Sequence, residues 1–166
     1  MLCNINYTRR RITMTYQIRK TKQGDINELA SVYMRAYACE PWNEPDWQFE
    51  QAYARIDELF SSSNSICFTY EENDIIKGAI LCKLLSWYDG KKIEWHELFV
   101  DAKYQRQGIG TKLVQHLEST APALGVNEIN FWTMRTEEAT QLISFYKNLG
   151  YVIAEDRIVM VKEIDI

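Results

Sequence analysis

No Cys-x-x-Cys pair occurs in this chain. The four cysteines, Cys3, Cys39, Cys67 and Cys82, stand far apart, which argues against a zinc ribbon or a dithiol centre and for buried free thiols. Only three prolines and seven glycines occur in 166 residues, and with 46% apolar and 25% charged residues neither disorder nor a collagen-like repeat fits. No apolar run approaches the ~18 residues that span a bilayer, and the N-terminus carries no apolar signal-peptide core. The expectation is a cytoplasmic chain without a membrane partner. Basic residues are outnumbered by acidic ones, 19 to 23, so the positive field that nucleic acid binding needs is missing. No set of His, Cys and acidic residues has metal-ligand spacing, and no Gly-x-Ser-x-Gly elbow occurs, so neither a metal nor serine-hydrolase chemistry is expected.

What is present is enough for one α/β domain. Residues 1–13, with Arg9, Arg10 and Arg11 and no apolar period, read as an N-terminal extension, and 14–166 as a single domain. A strand at 15–21 leads to a helix with Asp25 as N-cap and Glu28 completing a capping box. A second helix, 46–60, buries Phe49, Ala52, Tyr53, Ile56 and Phe60. Strands at 65–70, 75–87 and 92–100 form a meander, turning at 71–74 and at Asp89-Gly90. Residues 105–110 open a helix whose Ile109, Leu113, Leu117 and Leu124 are apolar and which weakens at Pro122, followed by a strand at 128–133. Thr136 caps a last helix, 137–149, with Leu142, Ile143 and Tyr146 inward, and two closing strands lie near 151–154 and 157–164. The order implies an α/β layered fold on a mixed, mostly antiparallel sheet of six to seven strands flanked by about four helices.

The segment 94–112 carries the chemistry. A strand runs into Gln105-Arg106-Gln107-Gly108-Ile109-Gly110 and a helix start, where the N–H groups from Arg106 to Thr111 have no helical acceptor and glycines let an anion approach the main chain. A dinucleotide fingerprint needs a third glycine where Leu113 stands, and no Gly-Lys-Ser/Thr follows, so neither nucleotide motif fits. Strand alternation places Glu94, His96 and Leu98 on one face and Trp95, Glu97 and Phe99 on the other. His116, on the helix after the loop, reads as a boundary residue.

Gln-x-x-Gly-x-Gly after Glu-Leu-Phe-Val, with Phe145-Tyr146-Lys147-Asn148-Leu149-Gly150-Tyr151 about 35 residues on, resembles the GNAT superfamily of acyl-CoA-dependent N-acyltransferases across residues 14–166. The resemblance implies acetyl-CoA as cosubstrate, with its pyrophosphate on Gln105, Arg106, Gln107, Gly108, Ile109, Gly110 and Thr111, and its pantetheine arm along Leu98, Phe99 and Val100. It also implies a bulge in that strand and an N–H near Leu98 or Phe99 that polarises the thioester carbonyl. Glu94 stands where many members place a general base. Glu94-x-His96 is similar to the strand motif of members that acetylate aminoglycosides at the 6′ amine, and Glu97 is the other candidate carboxylate, either one acting directly or through water. Tyr146 stands where the family places an acid toward sulfur. The chain departs from the pattern at Ala139 and Leu142, where many members have Asn and Ala.

On the acceptor side, residues 40–58 hold Glu40, Glu44, Asp46, Glu50, Asp57 and Glu58 against the lone Arg55, interleaved with Trp42, Trp47 and Tyr53. An acidic, aromatic wall that includes Tyr37, Trp42 and Glu44 suits a small cationic amine. Three readings stand at this point: an acetyl-CoA-dependent N-acetyltransferase, acting on a small amine or on a protein lysine or N-terminal amine; a non-catalytic acyl-CoA sensor; and a different nucleotide-binding module. A homodimer is compatible with the family, but no segment of the sequence fixes an interface.

Overall fold

The computed structural model describes residues 15–137, 139–162 and 164, so the expected extension at 1–13 lies outside the described residues. The elements are β1 (Tyr16–Lys20), α1 (Ile26–Tyr37), α2 (Phe49–Phe60), β2 (Ser65–Glu72), β3 (Ile75–Trp87), β4 (Gly90–Val100), α3 (Ile109–Thr120), β5 (Val126–Asn130) and α4 (Thr140–Asn148). The five strands lie in the order β1-β2-β3-β4-β5, antiparallel except for the parallel pair β4–β5, which is joined through α3. Asn73 and Asp74, with φ of 52° and 60°, close β2 on β3 in a two-residue turn, as positive φ at both central positions requires. The next turn is shifted from its expected place. Tyr88 and Asp89 are its centre, and Gly90, at φ 134°, already pairs with Trp87.

Cross-strand pairs share a face, so the register assigns each side of the sheet. Cys67, Ala79, Leu81 and Phe99 pack with Ile26, Leu29, Tyr33, Tyr37, Ala52, Ile56 and Leu59 of α1 and α2. The opposite face carries Phe68, edge-on to His116 of α3 at 4.6 Å, and Tyr70, near Lys112 of α3. The buried stripe of α2 is Ala52, Ile56 and Leu59, whereas Phe49 is exposed and Tyr53 and Phe60 are half-buried. This helix starts at Phe49 rather than 46, because Gln48 and Gln51 make the reciprocal cap. Cys67 and Cys82 are buried free thiols, and burial pushes that of Cys67 up to about 11.

The described residues fall into two compact parts, one ending at Trp132 and one beginning at Thr133. In the second, Thr136 Oγ1 accepts from the N–H of Ala139 at 3.3 Å, capping the turn that leads into α4. Tyr146 is buried, with Leu142 and Ile143 half-buried. The two closing strands expected at 151–154 and 157–164 are not formed among the described residues, so the sheet has five strands rather than six or seven. Alternating apolar residues specify a face, but a strand exists only where a neighbour completes its ladder. No described helix is long and apolar enough to cross a membrane.

Asp25 also departs from its expected role. Its side chain does not cap α1. It accepts from the N–H of Lys22 at 2.7 Å and takes both terminal nitrogens of Arg19, at 2.6 and 3.0 Å. Glu28 likewise leaves the capping box and accepts from the N–H of Ile76 at 3.3 Å. Arg19 also donates from Nε and Nη2 to Glu71 Oε2, at 2.9 and 2.5 Å. Burial works against the Asp25 charge, but Arg19 outweighs it and holds the carboxyl below the usual range; the same guanidinium depresses Glu71. Arg19→Met leaves two carboxylates facing one another and should cost about 2–3 kcal/mol in urea unfolding at pH 7. Depressed carboxyls stabilise fully above their unfolded value of about 4 and lose that contribution as pH falls through the folded one. The variant should therefore show a flatter acid-side loss of stability than the parent.

Candidate active site

One extra residue in β4 decides which side chains meet. Leu81 pairs with Glu97 and Cys82 with Trp95, so His96 has no opposite number in β3 and the strand bulges there. The pairs on either side then put Glu94 (opposite Lys83), Glu97 (opposite Leu81) and Phe99 (opposite Ala79) on the α1–α2 face. Trp95 (opposite Cys82) and Leu98 (opposite Ile80) fall on the α3 face. Simple alternation had separated Glu94 from Glu97 and grouped Trp95 with Phe99. The bulge reverses both assignments, because an inserted residue shifts the pleat by one.

Glu97 is 6% exposed. Tyr37 of α1 donates its hydroxyl to Oε2 at 2.5 Å, and Arg55 of α2 donates from Nε to Oε1 at 2.9 Å. Burial pushes the Glu97 carboxyl above its ordinary value, and the two donors only partly offset it. Burial, with the Glu97 charge beside it, also drives the Tyr37 phenol far up, which keeps that hydroxyl a donor. Both oxygens of Glu97 are thus engaged in joining three elements. Glu94 differs: its side chain is 35% exposed and lies 3.8 Å from His96 Nε2. That nitrogen is buried and has no hydrogen-bond partner among the described residues. Burial lowers the His96 pKa, Glu94 opposes this, and Lys83 and Arg55 reinforce it, so the ring is neutral near pH 7.

The ladder between β4 and β5 ends at the Glu94–Asn130 pair, one residue before Trp95 and the bulge. The edge of β4 from Trp95 to Val100 therefore continues past the last paired residue of β5. Gln105 turns back from the strand end, its Nε2 donating to the carbonyl of Val100 at 3.1 Å. Arg106 and Gly108 have φ of 60° and 78° and turn the chain from extended Gln105 into the start of α3. The first helical bond made there is Lys112 N–H to Gly108 O, which leaves the N–H groups of Ile109, Gly110 and Thr111 directed outward. A Cβ on Gly108 would meet nothing within 4 Å, so the space beside this residue is open.

Of the acceptor-wall residues, Tyr37 is buried and spends its hydroxyl on Glu97, and Trp42 stacks on Tyr37 with centroids 5.1 Å apart. Glu44 accepts from the Trp47 indole at 2.8 Å, and both line an open cleft of about 630 Å³ with Asn43, Asp46 and Gln51. Tyr33 sits between Tyr37 and Trp47, at 4.2 and 5.1 Å. Arg55 is the residue sequence reasoning passed over as a site member; its signal was being the lone cation among six acids in residues 40–58. No group of His, Cys, Asp and Glu among the described residues has the arrangement of a metal site.

A mixed sheet whose strands part beside an open N–H cradle defines a class of α/β enzymes that lay a phosphate-bearing cosubstrate along a strand. The chain belongs to the acetyltransferase (GNAT) family, whose model matches residues 26–151, and is an acetyl-CoA-dependent N-acetyltransferase. It is 24% identical over 148 residues to the acetyltransferase SG1711 of Sodalis glossinidius, covering 89% of this chain and 95% of that one. A possible acetyltransferase from Clostridium difficile 630 shares the fold with a TM-score of 0.76 at 14% identity, over 90% of this chain and 99% of its own. An aminoglycoside N-acetyltransferase, AAC(6′)-Iy, solved in complex with CoA, does so with a TM-score of 0.71 at 14% identity, over 90% and 95%.

Arg55→Met leaves Glu97 buried without its cation and should cost about 3–5 kcal/mol, whereas the double variant with Glu97→Gln should recover most of the loss. A carboxyl raised on folding contributes stability below its unfolded value of about 4.3 and loses it as pH rises through the folded value. Removing Arg55 deepens that loss, so melting temperatures of the single variant should fall more steeply above about pH 4 than those of the parent.

Proposed function

We propose that this enzyme transfers the acetyl group of acetyl-CoA to a primary amine of a small cationic acceptor by direct attack within a ternary complex. The observation that carries the reading is the parting of β4 from β5 at Glu94, immediately before the bulge, on the strand that leads into the turn at 106–111. A thioester laid along Leu98–Val100, beyond the last β4–β5 pair, would have its carbonyl near the Glu94–His96 pair. The Glu44–Asp46–Trp47 cleft supplies the charge and aromatic surface that favour a cation, and the fold shared with an aminoglycoside N-acetyltransferase supports the same acceptor class.

Acetyl-CoA, when bound, supplies an acyl carbon activated by a thiol leaving group. The N–H groups from Arg106 to Thr111 hold the pyrophosphate, aided by the Arg106 cation, and the main chain of Leu98–Val100 holds the pantetheine and polarises the carbonyl. Gln105 fixes the strand end from which the loop departs. Glu94 takes the proton that the acceptor ammonium must lose before its nitrogen bonds to the acyl carbon, directly or through a water shared with neutral His96. By its place in the sequence motif 145–151, and not by its position relative to β4, Tyr146 is assigned the proton given to the sulfur as the C–S bond breaks. Glu97, with both oxygens committed, orients the acceptor side rather than acting as base.

The test is thiol release from acetyl-CoA with aminoglycosides, polyamines, amino acids and short peptides as acceptors. Release with one small amine is expected, reduced about 10²–10⁴-fold in kcat by Glu94→Gln and less by Tyr146→Phe. Turnover confined to peptide amines would overturn the small-molecule acceptor. CoA binding without release from any amine would favour a sensor.

A further inference from the structure

The corner between β4 and the N–H cradle is built on one buried carboxylate. Asp101 follows Val100 and is 4% exposed. Its N–H donates to the Lys77 carbonyl at 2.8 Å, its own carbonyl accepts from Tyr104 N–H at 2.8 Å, and its Oδ1 accepts from Lys103 N–H at 3.1 Å. With Gln105 bound back to Val100, residues 100–105 close on themselves as a compact turn. On one flank the Lys77 ammonium lies 4.2 Å from the Tyr104 ring centroid and pairs with Glu72. On the other, Arg35 of α1 places both Nε and Nη2 2.8 Å from Asp101 Oδ2. Arg35 is 45% exposed, so it fills little of the core; what it supplies is a cation and a fixed direction.

We propose that Arg35 is a positioning residue for CoA binding, acting through Asp101 on the loop at 106–111. The proposal rests on reading that loop as the pyrophosphate site. Two physical effects run together. The guanidinium fixes the corner from which the cradle is launched, and directional N–H donors lose affinity steeply when displaced by about 1 Å. It also neutralises a buried negative charge a few residues from where a pyrophosphate binds; without Arg35 that charge either repels the ligand or draws the turn outward to be solvated. Arg35 lies on the same helix as Tyr37, two residues before it, so α1 braces both the cofactor corner and the Glu97 anchor.

Titration calorimetry with CoA tests this on the full chain and on Arg35→Met, Arg35→Lys, Gly108→Val and Glu71→Gln. Gly108→Val puts a β-branched residue at a positive φ and into the open cradle, so it reports on the loop itself. Glu71→Gln weakens the Arg19 cluster, which shares no hydrogen bond with Asp101 or Arg35, and reports on lost stability. The expected result is a Kd for CoA raised about five- to tenfold in Arg35→Met, partly rescued in Arg35→Lys, which keeps the charge but not the fork, and unchanged in Glu71→Gln. Should Arg35→Met fail to fold, a Kd in Arg35→Lys about two- to threefold above the parent carries the same conclusion. An unchanged Kd in both Arg35 variants, with binding lost in Gly108→Val, would overturn the role of Arg35 and leave the loop reading intact. Unchanged affinity in Gly108→Val would overturn the loop reading, and equal weakening in Glu71→Gln would make the effect one of global stability.

Discussion

Glu97 puts a carboxylate on the core-facing side of a central strand, where ionisation in an apolar setting costs several kcal/mol unless donors meet both oxygens. Two helices supply those donors, Tyr37 from α1 and Arg55 from α2. Loss of Arg55 would leave a buried charge uncompensated and loss of Tyr37 a buried oxygen without its donor, so both helices are fixed in direction and depth relative to β4. The aromatic layer of Tyr33, Tyr37, Trp42 and Trp47 fills the space this arrangement defines. Glu94 and His96, on the same strand and one bulge away, inherit their positions from it.

The same strand is pulled in two directions. On its β3 side it is paired through to Val100, while on its β5 side pairing ends at Glu94. A sheet that parts in this way exposes backbone donors and acceptors in a slot, which is unfavourable in isolation and useful to an enzyme that must lay an amide-bearing arm beside a strand. The loop that follows repeats the logic. Positive φ at Arg106 and Gly108 turns successive N–H groups outward, where an anion satisfies them. On the proposed reading each row would meet one part of acetyl-CoA, the cosubstrate of the family to which the chain belongs.

Much of the architecture was legible from local pattern. The apolar period from Ile26 to Tyr37, the turn between β2 and β3, and Gly108 ahead of α3 all reflect preferences carried within a few residues. Asp25 and Glu28 misled because a side chain adjacent to a helix start takes whichever donors tertiary folding brings nearest, and Arg19 and the N–H of Ile76 were distant in sequence. Residues 151–164 misled because alternation marks strand potential but not a partner. Arg55 was visible only as an odd cation in an acidic stretch, with no hint that it reached a strand 42 residues on.

Composition, periodicity and the Gln-x-x-Gly-x-Gly loop by themselves determined the layered α/β class, a candidate anion-binding turn and the shortlist of carboxylates, since these depend on spacing along one strand or one helix start. Tertiary structure decided which carboxylate is committed and which is available. The inserted residue at His96 moved Glu94 and Glu97 to one face, and the helices above then claimed both oxygens of Glu97. A bulge is set by how two strands must twist and pair, and a buried charge by which donors arrive from elsewhere in the chain, so neither is written in the residues around position 96.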